Sequence, residues 1–69
     1  MTSFLVCFGQ RVRQLRRAAD LTQEILAERA GVDPRVIRYV ERADREVGLG
    51  MAYLIAEALG VPVRALFSK

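Results

Sequence analysis

The first repeating pattern in the chain is an apolar stripe near its amino end. Apolar residues there recur at spacings of three and four, which is the period of an amphipathic α-helix. The stripe consists of Leu5, Phe8, Val12, Leu15 and Ala19. It predicts a first helix over about residues 3–19, with Gln10, Arg13 and Arg17 on the outer face.

Turn-forming residues divide the middle of the chain into two short helices. The hydroxyl of Thr22 suits an N-cap, and Gly31 suits the end of a helix because glycine readily adopts a positive φ. Asp33 and Pro34 then supply a second N-cap and a first helical residue. The predicted helices span residues 23–30 and 34–42. About three residues separate them, which is the spacing of a helix-turn-helix.

The rest of the chain is divided in the same way. A polar loop follows the third helix, and a fourth helix is predicted from residue 48 or 49 to about residue 59, where Gly60 stops it. Pro62 then begins a short fifth helix that continues through Phe67. The sequence therefore predicts a single all-α domain over residues 1–69 with five helices.

The third predicted helix has its charges on one side. On a helical wheel of about 100° per residue its apolar residues share one arc, which we expect to be buried. These residues are Val36, Ile37 and Val40. The opposite arc carries Arg35, Arg38 and Arg42, within about 60° of one another. Like charges at this spacing repel each other, and Arg35 also faces the positive end of the helix dipole.

Two interpretations of these arginines are open. An anionic partner would turn their mutual repulsion into attraction, and an exposed helix fits the major groove of B-form DNA. Alternatively, the arginines are solvated and pair with Asp44, Glu46 or a neighbouring helix. Because local stability does not require this clustering of charge, we favour the anionic partner.

Composition narrows the class of protein. The chain has 69 residues, enough for one modest core, and a content of 52% hydrophobic but only 7% aromatic residues indicates an aliphatic core. Its single cysteine, Cys7, lies among apolar residues and is predicted to be a small buried hydrophobe in a reducing compartment. Because no internal disulfide can form, we expect self-association to add stability.

The same composition argues against several functions. With no histidine and one cysteine, the sequence offers neither a metal cage nor a nucleophile with its base, so we expect no enzyme and no cofactor. It contains no apolar run of membrane-spanning length, no secretory leader and no room for an effector domain. We therefore expect a cytoplasmic protein without membrane or small-molecule partners. The net charge of +3 by itself is compatible with nucleic acid, with an anionic membrane or with no partner, so the positions of the charges matter more.

Several segments resemble the phage repressor and Cro-like (Xre-type) helix-turn-helix family. The similar segments are LTQEILAERAGV at residues 21–32, RYVER at 38–42, IAEALGV at 55–61 and LF at 66–67. The opening of the chain and the loop at residues 45–49 are similar to the controller proteins of restriction-modification systems, a small branch of this family. The resemblance implies a five-helix lambda-repressor-like domain whose second and third helices form the helix-turn-helix.

The resemblance also implies roles for individual residues. Positions similar to the base-reading positions of the family are Arg35, Arg38 and Tyr39. Positions similar to its phosphate contacts are Thr22, Gln23 and Arg42. Arg16 and Glu41 match a structural salt bridge of the family. Arginine suits base reading because its guanidinium fits the two acceptors of guanine.

The carboxyl-terminal part of the chain has more apolar residues than one small core needs. The resemblance implies that a homodimer forms through this end and binds a palindromic operator. The residues assigned to the interface are Leu49, Met51, Tyr53, Val61, Val63 and Phe67. Alternatively, these residues partly cover a core that is closed by Leu54, Ile55, Ala58, Leu59 and Leu66.

The expected function is sequence-specific regulation of transcription on double-stranded DNA, by occupying a promoter or by contacting RNA polymerase. A second hypothesis is a protein-interaction module such as an antitoxin, in which the apolar carboxyl end or Ile25 binds a protein and DNA binding is secondary. A third is a plain helical bundle whose basic face has no partner.

Overall fold

The structure, a computed structural model, describes residues 3–67 as four α-helices followed by a 3₁₀ helix. The α-helices are α1 (Phe4–Ala18), α2 (Gln23–Ala30), α3 (Pro34–Arg42) and α4 (Leu49–Leu59), and the 3₁₀ helix is Val63–Phe67. No strand occurs within residues 3–67. The all-α prediction is confirmed, and α2, α3 and α4 have their predicted bounds.

The predicted fifth α-helix is wrong, because the chain after Pro62 forms a 3₁₀ helix. The amide of Ala65 donates to the carbonyl oxygen of Pro62 at 2.9 Å, which is the i to i+3 bond of a 3₁₀ turn. The segment has five residues, too few for an α-helix to form many of its longer bonds. The described residues therefore contain four α-helices and not five.

Side-chain caps determine where α1, α2 and α3 begin. Ser3, Thr22 and Asp33 each accept a hydrogen bond from an amide in the first turn, at 3.1, 3.0 and 2.8 Å. A cap of this kind contributes about 1 kcal/mol because it satisfies a donor that the helix leaves unpaired. Since Ser3 is itself the cap, α1 begins at Phe4, one residue later than predicted.

Residues with a positive φ end α2, α3 and α4. Gly31 after α2 and Gly60 after α4 have φ of 75° and 74°, which glycine adopts without steric cost. At the end of α3 the corresponding residue is Ala43, with φ of 58°. A residue with a β-carbon is strained at a positive φ. The turn after α3, at Ala43, is therefore less favourable locally than the turn between α2 and α3, at Gly31.

All the helices contribute to one aliphatic core. The largest fully buried side chains are Leu26, Ile37, Ile55, Leu66, Val12 and Val40. In the predicted stripe of α1, Phe8 and Val12 are buried. Leu5 and Leu15 are half-buried, and Ala19, which lies beyond the end of α1, is exposed. The wheel predictions therefore identify the inward side of α1 correctly.

Two residues that were placed inside the protein lie on its surface. Cys7 is exposed, because each residue turns the helix by about 100° and Phe8 takes the inward position. Leu54 is 40% exposed, so the alternative that placed it in the core is wrong for this residue. The inward positions of α4 are Ala52, Ile55 and Ala56. Their spacing of three and four leaves Leu54 outside.

Within residues 3–67, no helix is long and apolar enough to cross a membrane. The same residues contain no cluster of potential metal ligands.

Gly9 is the point at which α1 crosses α3 most closely. A β-carbon on Gly9 would collide with the carbonyl oxygen of Val40 and would lie 3.0 Å from that of Glu41. Both obstacles are backbone atoms, which move only if the end of α3 moves. The missing side chain of Gly9 therefore sets the position of the carboxyl end of α3 against α1.

We expect Gly9→Ala to lower the free energy of unfolding by about 1–3 kcal/mol, because the added methyl group overpacks this crossing. Gly50→Ala is the matched control, since nothing lies within 4 Å of a β-carbon built there. It should stabilise α4 by about 0.5–1 kcal/mol. Urea denaturation measures both changes, and equal effects would show that the crossing tolerates a side chain.

Candidate nucleic-acid interface

The packing of α3 turns three arginines toward solvent. Ile37 and Val40 are buried and Val36 is half-buried, as the wheel predicts. On the other side of α3, the side chains of Arg35, Arg38 and Arg42 are 79%, 44% and 73% exposed. These three residues are called the arginine face below. The face is accessible to a partner along the whole length of α3.

Each residue of the arginine face has a carboxylate neighbour. The pairs are Arg35 with Asp33 at 3.1 Å, Arg38 with Glu24 at 3.8 Å, and Arg42 with Asp44 at 3.4 Å. Exposed ion pairs contribute about 0–1 kcal/mol each, so a phosphate or a base can replace these carboxylates at low cost. The solvated arrangement considered from the sequence thus exists in the unbound protein, and it is compatible with binding an anion.

Asp33 has two functions at the amino end of α3. Its Oδ1 accepts the backbone amide of Arg35 at 2.8 Å and the guanidinium Nε at 3.1 Å, and Oδ2 accepts from Nη2 at 3.3 Å. The side-chain bond from Arg35, and then the backbone bond, lower the pKa of the Asp33 carboxyl. The same contact raises the pKa of Arg35. Asp33 therefore caps α3 and orients the guanidinium of Arg35 at once.

Tyr39 is half-buried on α3 and touches a residue of the following loop. The guanidinium carbon of Arg45 lies 5.1 Å from the centroid of the Tyr39 ring, a cation–π contact. Sequence reasoning missed Arg45, because it lies outside the helix and no helical spacing relates it to Tyr39. The contact brings a further positive charge beside a residue that was predicted to read bases.

A buried network joins α1, α2 and α3 behind the arginine face. Glu41 accepts from Nε of Arg16 at 2.7 Å and from Nη2 at 3.1 Å. The remaining Nη1 of Arg16 donates to the carbonyl oxygen of Leu21 at 2.9 Å. The side chains of Arg16 and Glu41 are 11% and 3% exposed, and the hydrogen bond that Arg16 donates to Glu41 raises the pKa of Arg16. The structure thus contains the ion pair that the resemblance implies.

Thr22 and Gln23 lie at the amino end of α2, beside this network. The side-chain amide of Gln23 donates to Glu41 at 3.1 Å, which orients the amide and leaves its second hydrogen to donate. The hydroxyl oxygen of Thr22 accepts from the amide of Ile25 at 3.0 Å, and its hydrogen remains a donor. The positive end of the α2 dipole adds to the attraction for an anion.

A second surface, built from α4, the 3₁₀ helix and the start of α1, is apolar. Of the residues assigned to a dimer interface, Leu49, Tyr53 and Phe67 are exposed. The others, Met51, Val61 and Val63, are half-buried against the core. Phe4, which the sequence analysis did not assign, is 67% exposed and stacks on Phe67 with 5.6 Å between ring centroids. The exposed apolar residues therefore come from both ends of the chain.

Comparison with known families identifies the helix-turn-helix formed by α2 and α3. A helix-turn-helix family profile matches residues 12–66, which run from the middle of α1 to the 3₁₀ helix. The match includes α2, α3 and the turn between them. It covers more than half of the chain.

Two curated relatives are similar in sequence. An uncharacterized transcriptional regulator in the ATPase CF(0) region of Rhodospirillum rubrum is 47% identical over 60 residues, covering 87% of this chain and 56% of that protein. The chain thus spans little more than half the length of this relative. The control protein C.SmaI of Serratia marcescens is 37% identical over 61 residues, covering 88% of this chain and 73% of that protein.

A solved structure is similar in both sequence and fold. The crystal structure of the restriction-modification controller protein C.AhdI from Aeromonas hydrophila is 46% identical and superposes with a TM-score of 0.89. The alignment covers 91% of this chain and 96% of the controller protein. The similarity therefore extends over nearly the whole of both molecules.

The lowered pKa of Asp33 predicts a contribution to stability that acid removes. Its carboxyl has a folded-state pKa below the unfolded value of about 3.9. The contribution is therefore complete above about pH 4 and is lost as the pH falls through the folded-state pKa.

Asp33→Asn preserves an N-cap but removes the charge. We expect the stability difference between the wild type and this variant to shrink as the pH is lowered from about 5 to 2. Urea denaturation at a series of pH values measures this difference. A difference that stays constant over the range would contradict the assignment.

Proposed function

We propose that this chain, which belongs to the helix-turn-helix family, regulates transcription by binding a specific sequence of double-stranded DNA. The observation that carries the proposal is the exposed arginine face of α3, supported from behind by the buried Arg16–Glu41 pair. The similarity to a transcriptional regulator and to two controller proteins supports it. The activity is binding without catalysis, carried out in the cytoplasm.

In this proposal, α3 lies in the major groove and three of its residues face base edges. Arg35 is the principal reader, because its guanidinium already holds a carboxylate in two-point contact and can exchange it for the two acceptors of guanine. Arg38 and Tyr39 follow along the helix. The cation–π contact with Arg45 limits the freedom of the Tyr39 ring.

The amino end of α2 and the carboxyl end of α3 bind the DNA backbone. Gln23 donates its second amide hydrogen to a phosphate while Glu41 holds the first. Thr22 donates its hydroxyl hydrogen beside it, and Arg42 neutralises a phosphate near the end of α3. These contacts fix the register of α3 in the groove but do not depend on base sequence.

We further propose that the protein acts as a homodimer on a palindromic operator. The exposed apolar side chains of Leu49, Tyr53 and Phe67, with Phe4 stacked on Phe67, form a surface that a second copy would cover. Met51, Val61 and Val63 would line its inner edge. Two copies related by a twofold axis present two α3 helices to half-sites about one helical turn apart.

The relatives suggest which regulator this is. Two of them are controller proteins, one of them of a restriction-modification system. We propose the same role for this chain, in which it would control transcription of such a system.

A protein partner is a second candidate function, and Ile25 favours it. This residue is 42% exposed on α2, next to the exposed carboxylate of Glu24. An exposed apolar side chain at the edge of the DNA-binding face suits contact with RNA polymerase or with another protein bound nearby.

Selection of bound duplexes from a random DNA pool tests the proposed function. Purified protein at near-physiological salt should enrich an inverted repeat whose half-sites are about one helical turn apart. Enrichment of a single half-site would support DNA reading without the dimer. If no sequence were enriched, the function would be wrong and a protein partner would be favoured.

Two arginine substitutions separate base reading from backbone contact. Arg35→Ala should reduce discrimination at one base pair of each half-site by about 1–3 kcal/mol. Arg42→Ala should weaken binding to all sequences alike and reduce the slope of log K against log salt by about 0.9 per protomer. Fluorescence anisotropy with matched and mismatched duplexes measures both. Identical behaviour of the two variants would contradict the roles assigned here.

A further inference from the structure

Two arginines of α1 differ from those of the arginine face because no carboxylate of the described residues lies within ion-pair distance of them. Arg13 and Arg17 are exposed, and neither belongs to an ion pair within the described part of the chain. With Gln10 and Gln14 they form one exposed strip along α1. All four side chains can donate hydrogen bonds, and no acidic side chain lies in this strip.

This arrangement costs stability unless an anion is present. Arg13 and Arg17 are four residues apart on one helix face, where like charges repel by about 0.2–0.5 kcal/mol. The carboxyl end of the α1 dipole offsets part of this repulsion at Arg17 only. Among residues 3–67, neither guanidinium has a hydrogen-bond partner, in contrast to Arg16 between them in sequence.

The contacts of α1 show on which side of the molecule these arginines lie. Gly9 meets the backbone of α3 at its carboxyl end, and Arg16 reaches Glu41 from the same side of α1. On a wheel of about 100° per residue, Arg13 lies about 40° from Gly9 and about 60° from Arg16. Arg17 lies about 40° beyond Arg13 in the same direction, about 80° from Gly9.

The opposite side of α1 has a different neighbour. Arg11, about 160° from Arg13 on the wheel, donates to the carbonyl oxygen of Ala65 in the 3₁₀ helix at 2.8 Å. Arg13 and Arg17 therefore lie toward the end of α3, where Arg42 ends the arginine face, and away from the apolar surface.

We propose that Arg13 and Arg17 bind backbone phosphates of the same DNA, beside the segment that α3 reads. This inference rests on the proposed function. It adds a contact between α1 and the DNA backbone to the contacts proposed for α2 and α3. Two guanidinium groups without carboxylate partners match phosphate oxygens in charge and in hydrogen-bond geometry. Contacts to the backbone add affinity for every sequence and do not change the preference among sequences.

The test is the salt dependence of binding by an Arg13→Gln, Arg17→Gln double variant. Binding is measured by fluorescence anisotropy between about 50 and 200 mM salt, on the duplex enriched by selection and on a scrambled duplex of equal length. Loss of two phosphate contacts should reduce the slope of log K against log salt by about 1.8 per protomer on both duplexes. The ratio of the two affinities should not change.

Two controls separate this effect from a general loss of charge or of structure. The Arg13→Lys, Arg17→Lys variant retains both charges and should retain most of the wild-type slope. Arg29→Gln removes one exposed arginine from the far end of α2 and should leave the slope unchanged. Circular dichroism should give the same helix content for all variants, since neither Arg13 nor Arg17 contributes to packing.

The outcomes distinguish this inference from the proposed function. If the wild type prefers the enriched duplex and the double variant keeps the wild-type slope, the α1 contact is wrong while the function stands, and an acidic protein becomes the favoured partner of this face. If the wild type binds both duplexes equally and the double variant loses slope, the contact is right and sequence-specific regulation is wrong. A wild type that binds neither duplex overturns both.

Discussion

The buried ion pair between Arg16 and Glu41 is the interaction on which the geometry of the DNA-binding surface depends. It joins α1 to the end of α3, and through Gln23 and the carbonyl of Leu21 it also joins both to the start of α2. Desolvation of two ions costs about as much as their attraction contributes, so such a pair adds little net stability compared with apolar side chains. Its effect in this fold is to fix the position of Gln23 relative to α3.

The exposed ion pairs of the arginine face behave differently from this buried pair. The Arg16–Glu41 distance is 2.7 Å with both side chains largely buried, whereas the distances on the face are 3.1–3.8 Å at exposed side chains. Water and salt screen the exposed pairs, so their carboxylates can be exchanged for DNA. The buried network thus positions a surface whose own contacts are weak, so that the exposed carboxylates can be exchanged while the helices behind them stay in place.

Features that depend on neighbouring residues were predictable from the sequence, and features that depend on distant contacts were not. The bounds of α2 and α3 follow from caps such as Thr22 and Asp33, and the wheel identifies the exposed side of α3 because helical periodicity is local. The close approach at Gly9 and the contact of Arg45 with Tyr39 depend on where another segment passes. Cys7 was misplaced because its burial was inferred from its apolar neighbours in sequence, whereas the helical stripe through Phe8 and Val12 leaves it outside.

The most direct test of this account replaces the buried ion pair by apolar side chains of similar size, in the double variant Arg16→Met, Glu41→Leu. We expect a folded protein whose free energy of unfolding in urea is unchanged or higher, because the desolvation cost is removed. Its affinity for the selected duplex should nevertheless fall by at least about tenfold, since Gln23 loses the partner that orients its amide for the proposed phosphate contact. A folded double variant that binds this duplex as tightly as the wild type would contradict the account.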